Sequence, residues 1–290
     1  MTPAPIPYQG SKRRLAPIIL EYFPDRVRTL HEPFCGSAAV ALAGLRANRV
    51  ERVQLNDSLP ALARLWASII ANPTKVADDY EQLWQGQLAD PRGYYDQVRE
   101  SYNRTREPAK LLYLLARCVK NAVRFNAAGQ FNQSPDKRRL GTRPGRMREN
   151  LVGASALLRD RTTVTSADYA TALVGATPDD LVYLDPPYQG TSGERDQRYH
   201  QQLDLRRFIS DLAALVAREV PLIISFDGRC GERSYGAELP EALGLVRLEI
   251  NAGRSTQATL NGGTAETIES LYVSPRLIRR PSRLVSASGS

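Results

Sequence analysis

The sequence is poor in the residues that hold metals and disulfides. It has three cysteines, Cys35, Cys118 and Cys230, and two histidines, His31 and His200. The cysteines are odd in number and widely spaced, with no C-x-x-C pair. A disulfide framework or a zinc site is therefore not expected, and reduced thiols fit a cytoplasmic protein. No run of about 18 apolar residues occurs, so no membrane span is expected. No signal-peptide core follows Met1-Thr2-Pro3-Ala4-Pro5. No internal repeat is visible. Acidic residues are also in the minority, 31 against 39 lysines and arginines, for a net charge of +8. That balance favours a polyanionic partner, nucleic acid first, though it also serves solubility. With 290 residues, 42% of them hydrophobic, the chain suffices for one large α/β domain or a domain with an insertion.

What is present is organised around Leu184-Asp185-Pro186-Pro187-Tyr188. The apolar run before it, Leu181-Val182-Tyr183, reads as a buried strand. Strand, Asp, two prolines and Tyr put one carboxylate and one aromatic ring at a strand's carboxyl end, the edge where open α/β sheets bind ligands.

Taken in order, Pro7-Tyr8-Gln9-Gly10-Ser11-Lys12 reads as a loop leading into a helix through residue 23. Tyr8 and Lys12 flank its turn, either to close over a ligand or as a plain N-terminal arm. Residues 27–32 read as a strand. Pro33-Phe34-Cys35-Gly36-Ser37-Ala38 then forms a small-residue turn into a helix over 39–47. Such a turn lets backbone N–H groups approach a nucleotide-like cofactor, but it lacks the full G-x-G-x-x-G pattern and also fits a tight βα connection. The next strand, 52–55, ends at Asn56-Asp57, where a carboxylate suits a ribose diol or caps the helix over 59–70.

Residues 73–160 break the alternation. Helical patterns occupy 76–84, 94–104, 110–121 and 147–159. Between the last two lie Arg124-Phe125-Asn126, Gly129 and Phe131-Asn132, then a basic stretch with no acid: Lys137, Arg138, Arg139, Arg143, Arg146 and Arg148. Gly141, Pro144 and Gly145 punctuate it as a loop suited to tracking phosphates, with Asn, Gln and Arg near to reach base edges. A solvated charged loop is the alternative. After a strand at 162–165, Asp168 is placed either to accept from an adenine amino group or to make a turn. Residues 189–202, with Gly190, Gly193 and Arg195, read as a substrate-facing loop. A helix at 205–218, a buried strand at 221–227 and a closing antiparallel pair at 245–250 and 267–273 complete the fold.

The corner suits an exocyclic amino group of a nucleobase. Its lone pair is delocalised into the ring, so it is a poor nucleophile. Two acceptors that take both amino hydrogens localise the pair on nitrogen. Asp185 supplies one, and the carbonyl of Pro186 the other, fixed by backbone restriction at both prolines. Tyr188 offers a stacking face. The base must leave its duplex to arrive, at a cost of a few kcal/mol. A methyl sulfonium is a suitable electrophile.

These residues closely resemble the Dam-like, alpha-group DNA adenine-N6 methyltransferases, whose D-P-P-Y tetrad matches Asp185, Pro186, Pro187 and Tyr188. A chance match to all four in such a chain is about one in a thousand at average composition. Tyr8-Gln9-Gly10-Ser11-Lys12 resembles the family's aromatic-x-G-x-K segment, and Glu32-Pro33-Phe34-Cys35-Gly36 its E-P-F-x-G loop. Arg124-Phe125-Asn126 through Asn132 resembles its target-recognition stretch. Arg254-Ser255 and Asn261-Gly262-Gly263 with Glu269 resemble its C-terminal segment. The resemblance implies an α/β, Rossmann-like fold using S-adenosyl-L-methionine, held by Tyr8, Lys12, Glu32, Pro33, Phe34, Gly36, Asp57, Asp168 and Asp185. It implies residues 1–72 and 161–276 as the catalytic part, 73–160 as an inserted helical recognition domain, and 277–290 as a basic tail. Double-stranded DNA is the expected partner, met by Arg124, Asn126, Asn132, Lys137, Arg138, Arg139, Arg143 and Arg146. A cognate restriction endonuclease acting separately is a possible companion, and a monomer is expected in solution. Ala38 stands where the family usually has a second glycine, and its methyl is expected to hold the backbone away from the methionine moiety. The alternatives are an RNA or cytosine-N4 amino methyltransferase, and a non-catalytic nucleic-acid binder on the same fold.

Overall fold

The computed structural model describes residues 1–187, 203–230, 233–254 and 266–278. Tyr188 and residues 189–202, 231–232, 255–265 and 279–290 lie outside the described residues, and so do the expectations placed on them.

Among the described residues, eight strands form one sheet of mixed direction. β1 (Val27–Glu32), β2 (Val50–Asn56), β3 (Thr162–Thr165), β4 (Leu181–Leu184) and β5 (Leu222–Cys230) run parallel in the order β3-β2-β1-β4-β5. β6 (Arg233–Tyr235) pairs with β5. β7 (Val246–Arg254) and β8 (Glu266–Val273) close the other edge antiparallel, with β8 against β5. The chain leaves β1 toward β2 and β3, then returns to β4 on β1's other side. Strand order therefore reverses between β1 and β4, and the crevice at their carboxyl ends is where ligands bind in such sheets.

β4 shows why the strand pattern was legible. All four of its residues are buried, as expected of a parallel strand covered on both faces. Leu181 and Tyr183 enter one hydrophobic cluster with α2 (Ala39–Arg46), α3 (Pro60–Ala71), α6 (Pro108–Arg117) and α7 (Pro144–Leu158). Val182 and Leu184 enter the other, with Tyr169 of α8 (Tyr169–Ala172) and Phe208 of α9 (Leu205–Ala217). Alternate side chains point to opposite faces, so one four-residue strand joins both layers.

Between α3 and α6 lie α4 (Pro73–Gly86) and α5 (Pro91–Thr105). Pro60, Pro73, Pro91, Pro108 and Pro144 each open a helix. The first helical position needs no N–H partner and proline's φ is already helical, so much of the dispersed proline is helix punctuation.

Four expectations are corrected. The N-terminal helix is a 3₁₀ turn, Lys12–Arg14, followed by α1 (Ala16–Glu21) only. α6 stops at Arg117 because Cys118 turns extended and bridges Pro135, after which Lys120 and Asn121 take positive φ. Pro144 and Gly145 do not extend the basic loop; they begin α7, which brings Arg146 onto the same helix as Arg148. Leu277 does not belong to a tail: it ends a 3₁₀ turn and is buried in the core.

Candidate active site

The end of β1 is a tightly bonded loop. Gly36 takes a φ of +46°, and a Cβ there would come 3.1 Å from the ring of Tyr8. Its N–H donates to Asp57 Oδ2 at 3.2 Å, and its carbonyl accepts from the buried indole of Trp66 at 2.9 Å. Asp57 Oδ1 also accepts from Leu59 N at 3.0 Å. Asp57 thus ties the loop after β1 to the start of α3, in place of a simple cap. Its neighbour Asn56, buried, donates to the carbonyls of Pro33 and Ala167 and accepts from Thr165 and Ala167, joining the ends of β1, β2 and β3. Ser11 Oγ and Ser37 Oγ lie 2.8 Å apart and link the N-terminal segment to the loop.

Ala38 also takes a left-handed conformation, φ +48° and ψ +37°, as the residue before α2. Its methyl is fully buried in the core and does not line the cavity below. The expectation that it pushes the backbone away from a ligand is corrected: the methyl points into the protein, and any penalty is backbone strain.

A cavity of about 620 Å³ opens at the crevice between β1 and β4. Tyr8, Lys12, Glu32, Pro33, Phe34, Gly36, Asp57, Asp168, Asp185, Pro186 and Pro187 all line it, so the fold gathers the residues singled out for cofactor and catalysis, Tyr188 lying outside the described residues. The ring of Phe34 lies 5.2 Å from that of Tyr169, which also lines the cavity.

The acids there differ in their electrostatics. Burial pushes the Glu32 carboxyl up to about 8, against the N–H of Ala41, which donates to Oε1 at 2.7 Å. Burial likewise raises Asp57 to about 6 against its two backbone donors. Asp185 is raised to about 6, again chiefly by burial, with Lys12 pulling it down and Glu269 pushing it up. Lys12 Nζ sits 2.8 Å from Asp185 Oδ1 and 3.5 Å from Glu269 Oε2. At Asp168 burial is outweighed: two hydrogen bonds from Arg207, at 2.5 and 3.0 Å, and one from Ala170 N hold it below the usual range. Both of its oxygens are thus engaged, so Asp168 and Arg207 face the cavity as a pair.

The Arg124–Asn132 stretch is a hairpin. Phe125 bridges Phe131, Asn126 N donates to Gln130 O at 2.8 Å, and Gly129 turns at φ +68°. Asn103 on α5 clasps its base, accepting from Phe131 N and donating to Phe131 O. Phe125, Asn126 and Ala127 reach the cavity, whereas Arg124 and Asn132 do not line it.

The basic stretch is less free than its sequence. Acids distant in sequence, or just outside the stretch, approach it: Arg139 pairs with Asp136 at 2.7 Å, Arg146 with Glu149 at 2.6 Å, and Arg148 with Asp78 and Glu81 at 2.6 and 3.1 Å. Lys137, Arg138 and Arg143 are exposed and have no ion-pair partner among the described residues. None of the five candidate cations from Lys137 to Arg146 lines the main cavity. Residues not singled out from sequence hold this loop. Buried Arg117 donates to Gln87 Oε1 and to the carbonyls of Pro91, Asp136 and Arg139, and Gln87 Nε2 donates to Leu140 O. An arginine inside a helical pattern and a glutamine just past the end of one carry no local sign of such a role.

Comparison with known proteins agrees with this geometry. The chain is 29% identical over 185 residues to a DNA N-6-adenine-methyltransferase of Escherichia phage P1, covering 63% of this chain and 23% of that protein. It is 25% identical to a DNA adenine methylase of Haemophilus influenzae, covering 75% and 76%, and 24% identical to the DNA adenine methylase of Escherichia coli K12, covering 91% and 92%. The chain spans 29% of the length of the modification methylase StsI of Streptococcus sanguinis, at 26% identity over 66% of this chain. The family model for D12 class N6 adenine-specific DNA methyltransferase matches residues 8–221, from the cavity's Tyr8 to the residue before β5. The chain therefore belongs to the D12 class N6 adenine-specific DNA methyltransferase family.

Proposed function

We propose that this protein transfers a methyl group from S-adenosylmethionine to the N6 amino group of an adenine turned out of duplex DNA at a specific sequence. The observation that carries this reading is one cavity shared by three parts: the Glu32–Gly36 loop, the Asp185-Pro186-Pro187 corner and the tip of the 125–131 hairpin.

The cavity suits the cofactor. A flat ring fits beside Phe34 and Tyr169, carboxylates at Glu32 and Asp57 suit an ammonium and a diol, and Gly36 leaves space that a side chain would take from Tyr8. S-adenosylmethionine, when bound, supplies a methyl group on a positively charged sulfur. The protein's own part is to prepare the amine. Asp185 accepts one amino hydrogen and the Pro186 carbonyl the other, which localises the nitrogen lone pair. Tyr188 offers the face for the base. Once methylated, the nitrogen is cationic and gives up a proton, which the ionised Asp185 is placed to accept.

The reading extends to the whole chain: residues 1–72 and 161–276 carry catalysis, and 73–160 carry recognition. The hairpin tip, beside the cavity, meets the DNA where the base leaves it, with Asn126 able to reach a base edge. Lys137, Arg138 and Arg143 meet phosphates. Arg139 and Arg146, paired internally, contribute less. Arg143→Ala accordingly weakens duplex binding and lowers the slope of log Kd against log salt by about one, whereas Arg146→Ala leaves the slope nearly unchanged. Titrations at several salt concentrations check this, and equal slopes for Arg143→Ala and the parent would remove Arg143 from the phosphate contacts.

The substrate is tested by labelled-methyl incorporation into duplex DNA, single strands and RNA. Incorporation dominated by the duplex is expected; preference for RNA would replace this reading with that of an RNA amino methyltransferase.

A further inference from the structure

Asp185 is not alone at the corner. Lys12, only 6% exposed, lies between two carboxylates that reach it from the strands on either side of β5. Asp185 comes from the end of parallel β4, and Glu269 from antiparallel β8. Glu269 is brought there by a specific backbone device. The β5–β8 register shifts between Ser225 and Gly228, and Glu269 pairs with Gly228 directly after that irregularity. A Cβ on Gly228 would meet the carbonyl of Ile268 at 2.5 Å and Glu269 Cα at 3.3 Å. Only glycine lets β8 lie this close, so a bulge and a glycine together aim Glu269 at the site.

We propose that Glu269, acting through Lys12, is a positioning residue for Asp185: the ammonium shared between the two carboxylates fixes Asp185 Oδ1, leaves Oδ2 for the target amine, and sets how tightly Asp185 holds a proton. The inference rests on the reading of Asp185 as the acceptor of that amine.

Charge balance alone does not require Glu269, since Lys12 and Asp185 already neutralise each other. The second carboxylate divides the ammonium's attraction. Asp185 is thereby kept a better proton acceptor than it would be against a dedicated lysine, yet remains ionised at neutral pH. Among the described residues, the charged and titratable groups facing Asp185 are Lys12 from the N-terminal turn, Glu269 from β8 and Glu32 from the end of β1. Glu32, which burial raises to about 8, is the same residue in every variant compared and does not change the sign of either shift. Lys12 and Glu269 are therefore the opposing influences, and their removal has opposite signs.

The test is a carbon-13 NMR titration of the Asp185 side-chain carboxyl in the full-length protein, assigned by its loss in Asp185→Asn. It is paired with the pH dependence of single-turnover methylation of duplex DNA. In the parent, the rate falls on the acid side as pH drops through about 6. Glu269→Gln moves both the titration and the acid limb down by about one unit, and Lys12→Met moves both up by about one to three units. Glu269→Asp and Lys12→Arg, which keep the charges, return both toward the parent and serve if a neutral variant fails to fold. Unmoved midpoints, or shifts of the same sign in the two neutral variants, overturn the ion row while adenine methylation stands. Opposite NMR shifts in a parent protein that methylates no adenine overturn the reading of the site on which the inference depends.

Discussion

Asp185→Ala lowers the single-turnover rate of adenine methylation by about 10²–10³-fold, the scale on which one preorganised polar partner of a transition state contributes. Duplex binding stays close to the parent's. The separation follows from position. Asp185 lies at the carboxyl end of β4 inside the cavity, while the free cations Lys137, Arg138 and Arg143 lie outside it. The fold survives because Lys12 keeps Glu269 as a carboxylate partner at 3.5 Å. Rapid-quench measurement on pre-bound duplex separates the two effects. Weak binding with an unchanged rate per bound complex would take Asp185 out of the chemistry.

Trp66→Ala has the largest expected effect on stability. The indole is fully buried in the larger core, and truncation of such a side chain costs about 3–5 kcal/mol. Against total stabilities of about 5–15 kcal/mol, that loss is severe. The same ring donates to Gly36 O, so the core of α3 is wired to the loop that closes one wall of the cavity. Trp66→Phe isolates that link. It retains most of the apolar bulk and loses a hydrogen bond worth about 0.5–1.5 kcal/mol. Thermal denaturation with and without S-adenosylmethionine distinguishes them: the alanine variant melts far below the parent in both conditions. The phenylalanine variant melts near it when free and gains less on adding ligand, because ligand stabilisation follows the ratio of ligand concentration to Kd. An alanine variant as stable as the parent would contradict the packing described for Trp66.

The parts of the site legible in the sequence were those set by short-range rules. β4 is an apolar run, β1 and β2 are short runs in which apolar and polar positions mix, and each ends at or just before a polar residue. Because parallel strands align their carboxyl ends, naming those ends already brought Glu32, Asp57 and Asp185 together. What stayed hidden depends on approach in space. The stretch from Lys137 to Arg148 contains no acid, yet Asp78, Glu81, Asp136 and Glu149 come within ion-pair distance of its arginines. The start of α7 is hidden in the sequence because Pro-Gly reads as a turn locally, whereas proline at a first helical position is equally at ease. In the sequence Ala38 reads as a missing glycine near the ligand. The structure keeps the left-handed backbone a glycine would favour but turns the methyl inward. Glu269 was visible only as part of a resemblance; its contact with Lys12 needs the β5–β8 irregularity, which has no periodic signature.

The central claim is that the Asp185 corner methylates the N6 amine of adenine in duplex DNA. It is tested most directly by digesting unmodified duplex DNA to nucleosides after incubation with purified protein and S-adenosylmethionine, and identifying the methylated product by mass spectrometry. The account predicts N6-methyladenosine in its deoxy form, present with the parent protein and lost with Asp185→Ala. Methylation on cytosine N4, or no methylated nucleoside from folded protein that binds S-adenosylmethionine, would contradict it.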